Sequence, residues 1–104
     1  METLRFRFEQ GQRTLPPQRR MVGVVSSGNL EVLVCTEDLQ KACEIEVTTA
    51  AVGFAPVWEA VIRDFQQRWQ LADVKIAIND VGATPAVVSL RLDQAVETCL
   101  ETGV

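Results

Sequence analysis

Two runs of β-forming residues, Met21-Val22-Gly23-Val24-Val25 and Leu30-Glu31-Val32-Leu33-Val34, stand on either side of four small polar residues, Ser26-Ser27-Gly28-Asn29. This arrangement predicts a tight β-hairpin with its tip in water. Gly28 takes the positive φ that a tight turn requires, and Asn29 tolerates the left-handed region. The hydroxyls of Ser26 and Ser27 are then free to point outward, where a modifying enzyme has access to them. By turn chemistry alone, however, such a loop is a turn and nothing more.

The rest of the chain supplies a sheet and two helices. Leu4-Arg5-Phe6-Arg7-Phe8-Glu9 alternates apolar and charged residues, the period of a strand with one buried face. Residues 10–20 hold Pro16-Pro17 and no periodicity, so they read as a connection. Gly23 inside the second strand marks a bulge or a close approach of another backbone. After a polar turn, Cys43, Ile45 and Val47 alternate with Glu44 and Glu46, giving a fourth strand. Phe54, Val57, Trp58, Val61, Ile62, Phe65 and Trp69 then recur with a helical period, with Pro56 placed where a first turn tolerates it. Val74, Ile76 and Ile78 make a fifth strand ending at Asn79-Asp80. Thr84-Pro85 is a helix start, followed by the stripe Val88, Leu92, Ala95, Val96 and Cys99, which runs to the last residues. The order β-β-β-β-α-β-α predicts an α+β two-layer domain over residues 1–104, in which a mixed, mostly antiparallel sheet of about five strands carries both helices on one face.

Composition narrows the chemistry. Histidine and tyrosine are absent from the 104 residues, which removes the side chains most used for acid–base work and metal binding near neutral pH. No catalytic triad can be assembled. The carboxylate pairs Glu44/Glu46 and Glu37/Asp38 fall on a solvated strand face and in a turn, and Asn79-Asp80 reads as a capping or charge-pairing turn. Cys35, Cys43 and Cys99 are odd in number and lack a CxxC spacing, so they read as packing residues in a reducing compartment, with no metal site. The net charge of −4 argues against nucleic-acid binding. It is divided unevenly, residues 1–20 carrying +3 through Arg5, Arg7, Arg13, Arg19 and Arg20. No stretch has the length of a membrane span and no apolar signal core opens the chain, so a cytoplasmic protein is expected.

Val25-Ser26-Ser27-Gly28-Asn29-Leu30-Glu31-Val32-Leu33, Ile78-Asn79-Asp80-Val81-Gly82-Ala83-Thr84-Pro85 and Ser89-Leu90-Arg91-Leu92 together resemble the acyl carrier (delta) subunit of bacterial malonate decarboxylase, nearly from end to end. The resemblance implies a noncatalytic carrier that holds 2′-(5″-phosphoribosyl)-3′-dephospho-CoA through a phosphodiester to a serine, with acetyl and malonyl units on its terminal thiol. The implied partners are a prosthetic-group transferase, the acetyl/malonyl transferase subunit and the decarboxylase subunits. Where that family is expected to show glycine-serine-glycine, this chain has Ser26-Ser27-Gly28. The residue before the glycine is the better match, which maps the attachment to Ser27 with Ser26 as the alternative. A citrate lyase-type carrier shares the group and a serine-glycine loop but not, as far as it can be matched, the Asn79–Pro85 segment. The reading from another class is a noncatalytic interaction module that uses a sheet edge or the Trp58/Trp69 helix, its serine loop being only a turn. Arg19 and Arg20 are expected some 20 Å from the loop, at the far end of the second strand, and to serve docking of acidic partner surfaces.

Overall fold

The computed structural model describes residues 1–22 and 29–101. Five strands and two helices follow in the order β1 (Glu2–Phe8), β2 (Arg19–Val22), β3 (Leu30–Thr36), β4 (Cys43–Thr49), α1 (Ala55–Trp69), β5 (Val74–Asp80) and α2 (Pro85–Glu101). The sheet order is β1-β4-β5-β3-β2. All neighbours are antiparallel except β4 and β5. A parallel pair cannot be closed by a tight turn, so the chain must return along one face before it enters β5, and α1 is that return. The α+β architecture read from the sequence is therefore the one observed, with a mixed, mostly antiparallel sheet.

Strand alternation decides which face the helices cover. Val32 and Val34 of β3, Ile45 and Val47 of β4, and Val74, Ile76 and Ile78 of β5 are at most 1% exposed. They pack against Ile62 and Phe65 of α1 and against Val88, Leu92, Val96 and Cys99 of α2. The residues between them point to the opposite face, which no element among the described residues covers, and that face is largely polar. There Arg5 pairs with Glu46 across 3.0 Å and Arg7 pairs with both Glu44 and Glu9. These exposed pairs contribute little to stability, but they leave edge strand β1 charged, which discourages another strand from adding to it.

Two sequence expectations need correction. The second strand begins at Arg19, two residues earlier than the apolar run, because β3 offers pairing groups beyond that run. Arg19 lies opposite Cys35 and Arg20 opposite Val34, and Gln18 and Thr36 exchange backbone and hydroxyl bonds of 2.8–3.2 Å. The proposed continuation of that strand through Val25 and the bulge at Gly23 lie outside the described residues, as does the chain after Glu101. The second correction concerns the first helical stripe. Trp58, Ile62 and Phe65 are buried, but Phe54 is 52% and Val57 42% exposed.

The connection at 10–18 is less passive than its composition suggests. Leu15 joins the core, Arg13 bridges to Leu71, and the Arg13 guanidinium stacks 5.5 Å from the Trp69 ring. Gly11 lies so close to Leu71 that a Cβ would overlap the Leu71 carbonyl. Because that neighbour is backbone, Gly11→Ala is expected to destabilise the fold by about 1–3 kcal/mol, read as a lowered urea midpoint with an unchanged m-value.

Asp73 closes the β3–β4 connection. Its Oδ1 accepts the backbone N–H groups of Leu39 and Lys41 at 3.0 and 2.9 Å. The Lys41 bond and then the Leu39 bond hold its carboxyl below the ordinary 3.8. A depressed folded value means that the carboxylate stabilises the fold in full above 3.8 and that this contribution is lost as pH falls through the lower folded value. Asp73→Ala is accordingly expected to lower the urea midpoint at neutral pH, and the gap to wild type is expected to shrink below pH 3.8.

Candidate functional site

Ser26, Ser27 and Gly28 lie outside the described residues, so the site is built here from the groups that flank them. Met21 and Val22 are opposite Leu33 and Val32, confirming that the strands on either side of the serines pair antiparallel. Each pair is equidistant from position 27, Arg19 and Cys35 by eight residues and Val22 and Val32 by five. The serine stretch is thus bracketed by one regular ladder. On its far side Asn29 is exposed and adopts φ 57°, the left-handed value anticipated for it, and Leu30 is wholly buried.

The topology brings four features to this end of the sheet. Leu30 begins β3 opposite Asp80, the last residue of β5, and Thr49, the last residue of β4, is also in register with Asp80. Both helices start from strands that end here, so both N-termini, with their partial positive charge, lie at the same end as Asn29 and Leu30. Val81 donates its N–H to the Asn29 carbonyl at 2.9 Å, tying the start of β3 to the segment that leads into α2.

Asp80 holds this junction together. It is only 3% exposed. One carboxylate oxygen accepts the Thr49 hydroxyl at 2.8 Å, and the other accepts the N–H groups of Gly82 at 3.2 Å and Ala83 at 2.8 Å. Its own carbonyl accepts the Ala50 N–H at 3.0 Å. The sequence placed Asp80 in a capping turn; the structure keeps that role and adds burial at the end of a strand. Thr84 caps α2 by accepting the Val87 N–H at 3.3 Å, as its position before Pro85 implies.

Between the first halves of the two helices runs a groove of about 210 Å³. Phe54, Val57, Trp58 and Val61 form one wall, Pro85 and Val88 the other, and Asp80 and Ala83 lie at its base. No lysine or arginine lines it. With Phe54, Val57 and Val81 each more than 40% exposed at this end, apolar surface stays open among the described residues. The periodicity revealed Phe54 and Val57 as members of a stripe but not that the stripe outruns the core.

The remaining candidate groups lie elsewhere. Arg19 and Arg20 sit opposite residues four and five positions beyond Leu30, about 13–17 Å along β3 from the serine end. Gln18 beside them donates to the Cys99 carbonyl at 2.9 Å, which places this segment at the last turns of α2. The Cys43 thiol is pushed up to about 12, first by burial and then by Glu44, and burial also raises Cys99 against an opposing effect of Arg20. Thiols so shifted stay protonated and unreactive. Trp69 is half-buried and donates its indole N–H to Asp93 at 2.8 Å, while Arg68 holds the same carboxylate at 2.9 and 3.2 Å. Among the described residues no cluster of three or more His, Cys, Asp or Glu side chains is arranged to hold a metal ion, and no helix is long and apolar enough to cross a membrane.

Removing the Asp80 carboxylate leaves a buried hydroxyl and two N–H groups without their acceptor. Asp80→Ala is therefore expected to cost about 1.5–3 kcal/mol in chemical denaturation. It is also expected to speed amide exchange at Gly82 and Ala83 more than at Ile62 in the core.

Comparison with known proteins agrees with this geometry. Residues 17–99 match the family model described as malonate decarboxylase delta subunit (MdcD). A malonate decarboxylase acyl carrier protein of Xanthomonas euvesicatoria pv. vesicatoria is 61% identical over 99 residues, 93% of each chain. That of Stenotrophomonas maltophilia strain K279a is 57% identical over 101 residues, covering 96% of this chain and 95% of the relative. That of Acinetobacter calcoaceticus is 51% identical over 96 residues, 92% and 94% of the two chains. Among solved structures, a chain in the crystal structure of a Pseudomonas malonate decarboxylase hetero-tetramer in complex with malonate superposes with a TM-score of 0.79. It is 38% identical and covers 95% of this chain and 99% of that one.

Proposed function

The chain belongs to the malonate decarboxylase delta subunit family, and from that premise we propose that it is the noncatalytic acyl carrier subunit of a multi-subunit malonate decarboxylase. What carries the reading is the family match over residues 17–99, which spans the serine stretch, together with the near-complete overlap with a chain of the Pseudomonas hetero-tetramer. The family model that matches is that of the malonate decarboxylase delta subunit, which favours this reading over a citrate lyase-type carrier. A carrier in such an assembly needs one accessible hydroxyl for modification and a rigid body to present it. It needs no acid–base residues of its own.

The group proposed at Ser27 is 2′-(5″-phosphoribosyl)-3′-dephospho-CoA, which supplies a terminal thiol for acetyl and malonyl units. The chain's residues suit such a group. Two helix N-termini lie at the serine end, an environment that favours the negative charge of a phosphodiester. The one buried carboxylate there, Asp80, is already engaged by three donors. Asn29 and Leu30 anchor the end of the stretch by a backbone bond and by burial, so the body beneath it is fixed. The chain's residues thus bind and present, while exchange of acetyl for malonyl and the decarboxylation belong to the transferase and decarboxylase subunits. Arg19 and Arg20, more than a Debye length from the serine end, serve partner docking and not attachment.

The test is intact mass. Wild type, Ser26→Ala, Ser27→Ala and Arg19→Ala/Arg20→Ala are incubated with the prosthetic-group transferase and its activated precursor, then weighed. The added mass is expected in all but Ser27→Ala. Loss in Ser26→Ala with retention in Ser27→Ala would move the site by one residue. No added mass in wild type would favour the interaction module, and loss in the double arginine variant would refute the distance argument.

A further inference from the structure

We propose that the groove between the first halves of α1 and α2 seats the thiol end of the chain's own prosthetic arm when that end carries the uncharged acetyl unit, and leaves it free when it carries malonyl. This rests on the carrier reading above. Three observations point to this occupant.

The first is reach. Asn29 is tied to Val81 at 2.9 Å, and Val81 lies between Asp80 and Ala83, both at the base of the groove. Ser27 is two residues before Asn29, at most about 7 Å of extended chain. A long, single-bonded arm attached there has the groove within its range without any movement of the body.

The second is shape and polarity. The groove is narrow and lined almost entirely by Phe54, Val57, Trp58, Val61, Pro85 and Val88. It suits a slender apolar segment and offers nothing to a nucleotide or phosphate.

The third is charge. The single ionisable group at its base is Asp80, and no cation faces it from either helix. Both Asp80 oxygens already accept bonds from Thr49, Gly82 and Ala83. An acetyl thioester enters without an electrostatic penalty. The free carboxylate of a malonyl thioester would lose its water against this apolar lining with no lysine or arginine to pair it and would come against Asp80. The partial charge of the helix N-termini, enough to favour a solvated phosphodiester, does not replace that hydration. The groove therefore sorts the two cargoes by charge: it shelters the resting acetyl thioester from water and leaves the malonyl form extended for the decarboxylase subunits.

The two tryptophans provide a built-in control. Trp58 lines the groove, whereas the Trp69 indole is bound to Asp93 and lies under Arg13. The experiment compares 15N–1H spectra of the apo, free-thiol, acetyl and malonyl forms, each form verified by mass. It also measures cleavage of the acetyl thioester by hydroxylamine in wild type and in Val57→Trp, a change at an exposed rim position that fills the groove. On acetylation the Trp58 indole and the Val61 and Val88 amides are expected to shift while the Trp69 indole does not, and the malonyl form is expected to resemble apo. With about nine arms in ten seated, cleavage in wild type is expected to be roughly tenfold slower than in Val57→Trp.

Equal cleavage rates with no shift at Trp58, in protein that has gained the arm's mass, would overturn the groove proposal and leave the carrier reading standing. Failure to gain the mass would overturn the carrier reading itself and the groove proposal with it. Equal shifts for acetyl and malonyl would refute the sorting by charge. Groove shifts that appear on concentrating the apo protein or on adding the transferase subunit, but not on acetylation, would assign the groove to a second copy or to that partner and refute the proposal.

Discussion

The parallel pairing of β4 with β5 is the constraint on which the rest of the molecule depends. Parallel neighbours need a crossover, and here α1 supplies it. The strand that follows therefore finishes at the same end as the strand before the crossover. Because β4 and β5 end together at Thr49 and Asp80, α1 and α2 both begin there. The antiparallel pairing of β3 with β5 brings Leu30, and so the end of the serine stretch, to the same place. One pairing choice in the centre of the sheet thus collects two helix N-termini, the groove and the start of β3 at one end, with Arg19 and Arg20 along the strand toward the other.

That convergence concentrates polar backbone where three strand ends and two helix starts meet, and a single carboxylate satisfies much of it. Asp80 takes a hydroxyl from the end of β4 and two amides from the turn before α2 while its carbonyl takes Ala50. Burying a charge is costly unless it is hydrogen-bonded on all sides. Three donors on two oxygens make the burial tolerable, and the same bonds hold the groove base in one geometry. The unpaired surface at this end is then apolar, in contrast with the ion-paired open face of the sheet.

Much of this was legible in the sequence. Period-two runs marked β1, β4 and β5, and the stripe Val88, Leu92, Ala95, Val96 and Cys99 is buried throughout. Thr84 and Pro85 marked the start of α2 because cap chemistry is local. What local patterns miss is where one element outlasts another. The first helical stripe counts Phe54 and Val57 with Trp58 and Ile62, and only the position of α2 reveals that the first two have no cover. The arginine-led start of β2 was missed for the same reason: the pairing groups that draw Arg19 and Arg20 into the sheet belong to β3. Gly11 looked like an ordinary loop glycine until the Leu71 backbone was beside it. For the site, Ser26-Ser27-Gly28 and Asp80 were evident as residues. The groove between α1 and α2 was not, because no spacing encodes the separation of two helices.

The uncovered half of α1's stripe also bears on how a carrier of this kind divides stability from function. The helices are fastened to each other from the last turn of α1, where Arg68 and Trp69 hold Asp93 at the middle of α2 and Arg68 also reaches Ser89. Nearer their N-termini the walls of the groove stand apart. Closing the groove with larger side chains would bury more apolar area, and at roughly 25 cal/mol per Å² it would stabilise the fold. The space is kept instead at the end of the sheet where β3 begins. The core is complete without it, since Ile62, Phe65, Leu92 and Val96 are wholly buried. An open apolar cleft at this end therefore costs the fold little while leaving the surface around it adaptable.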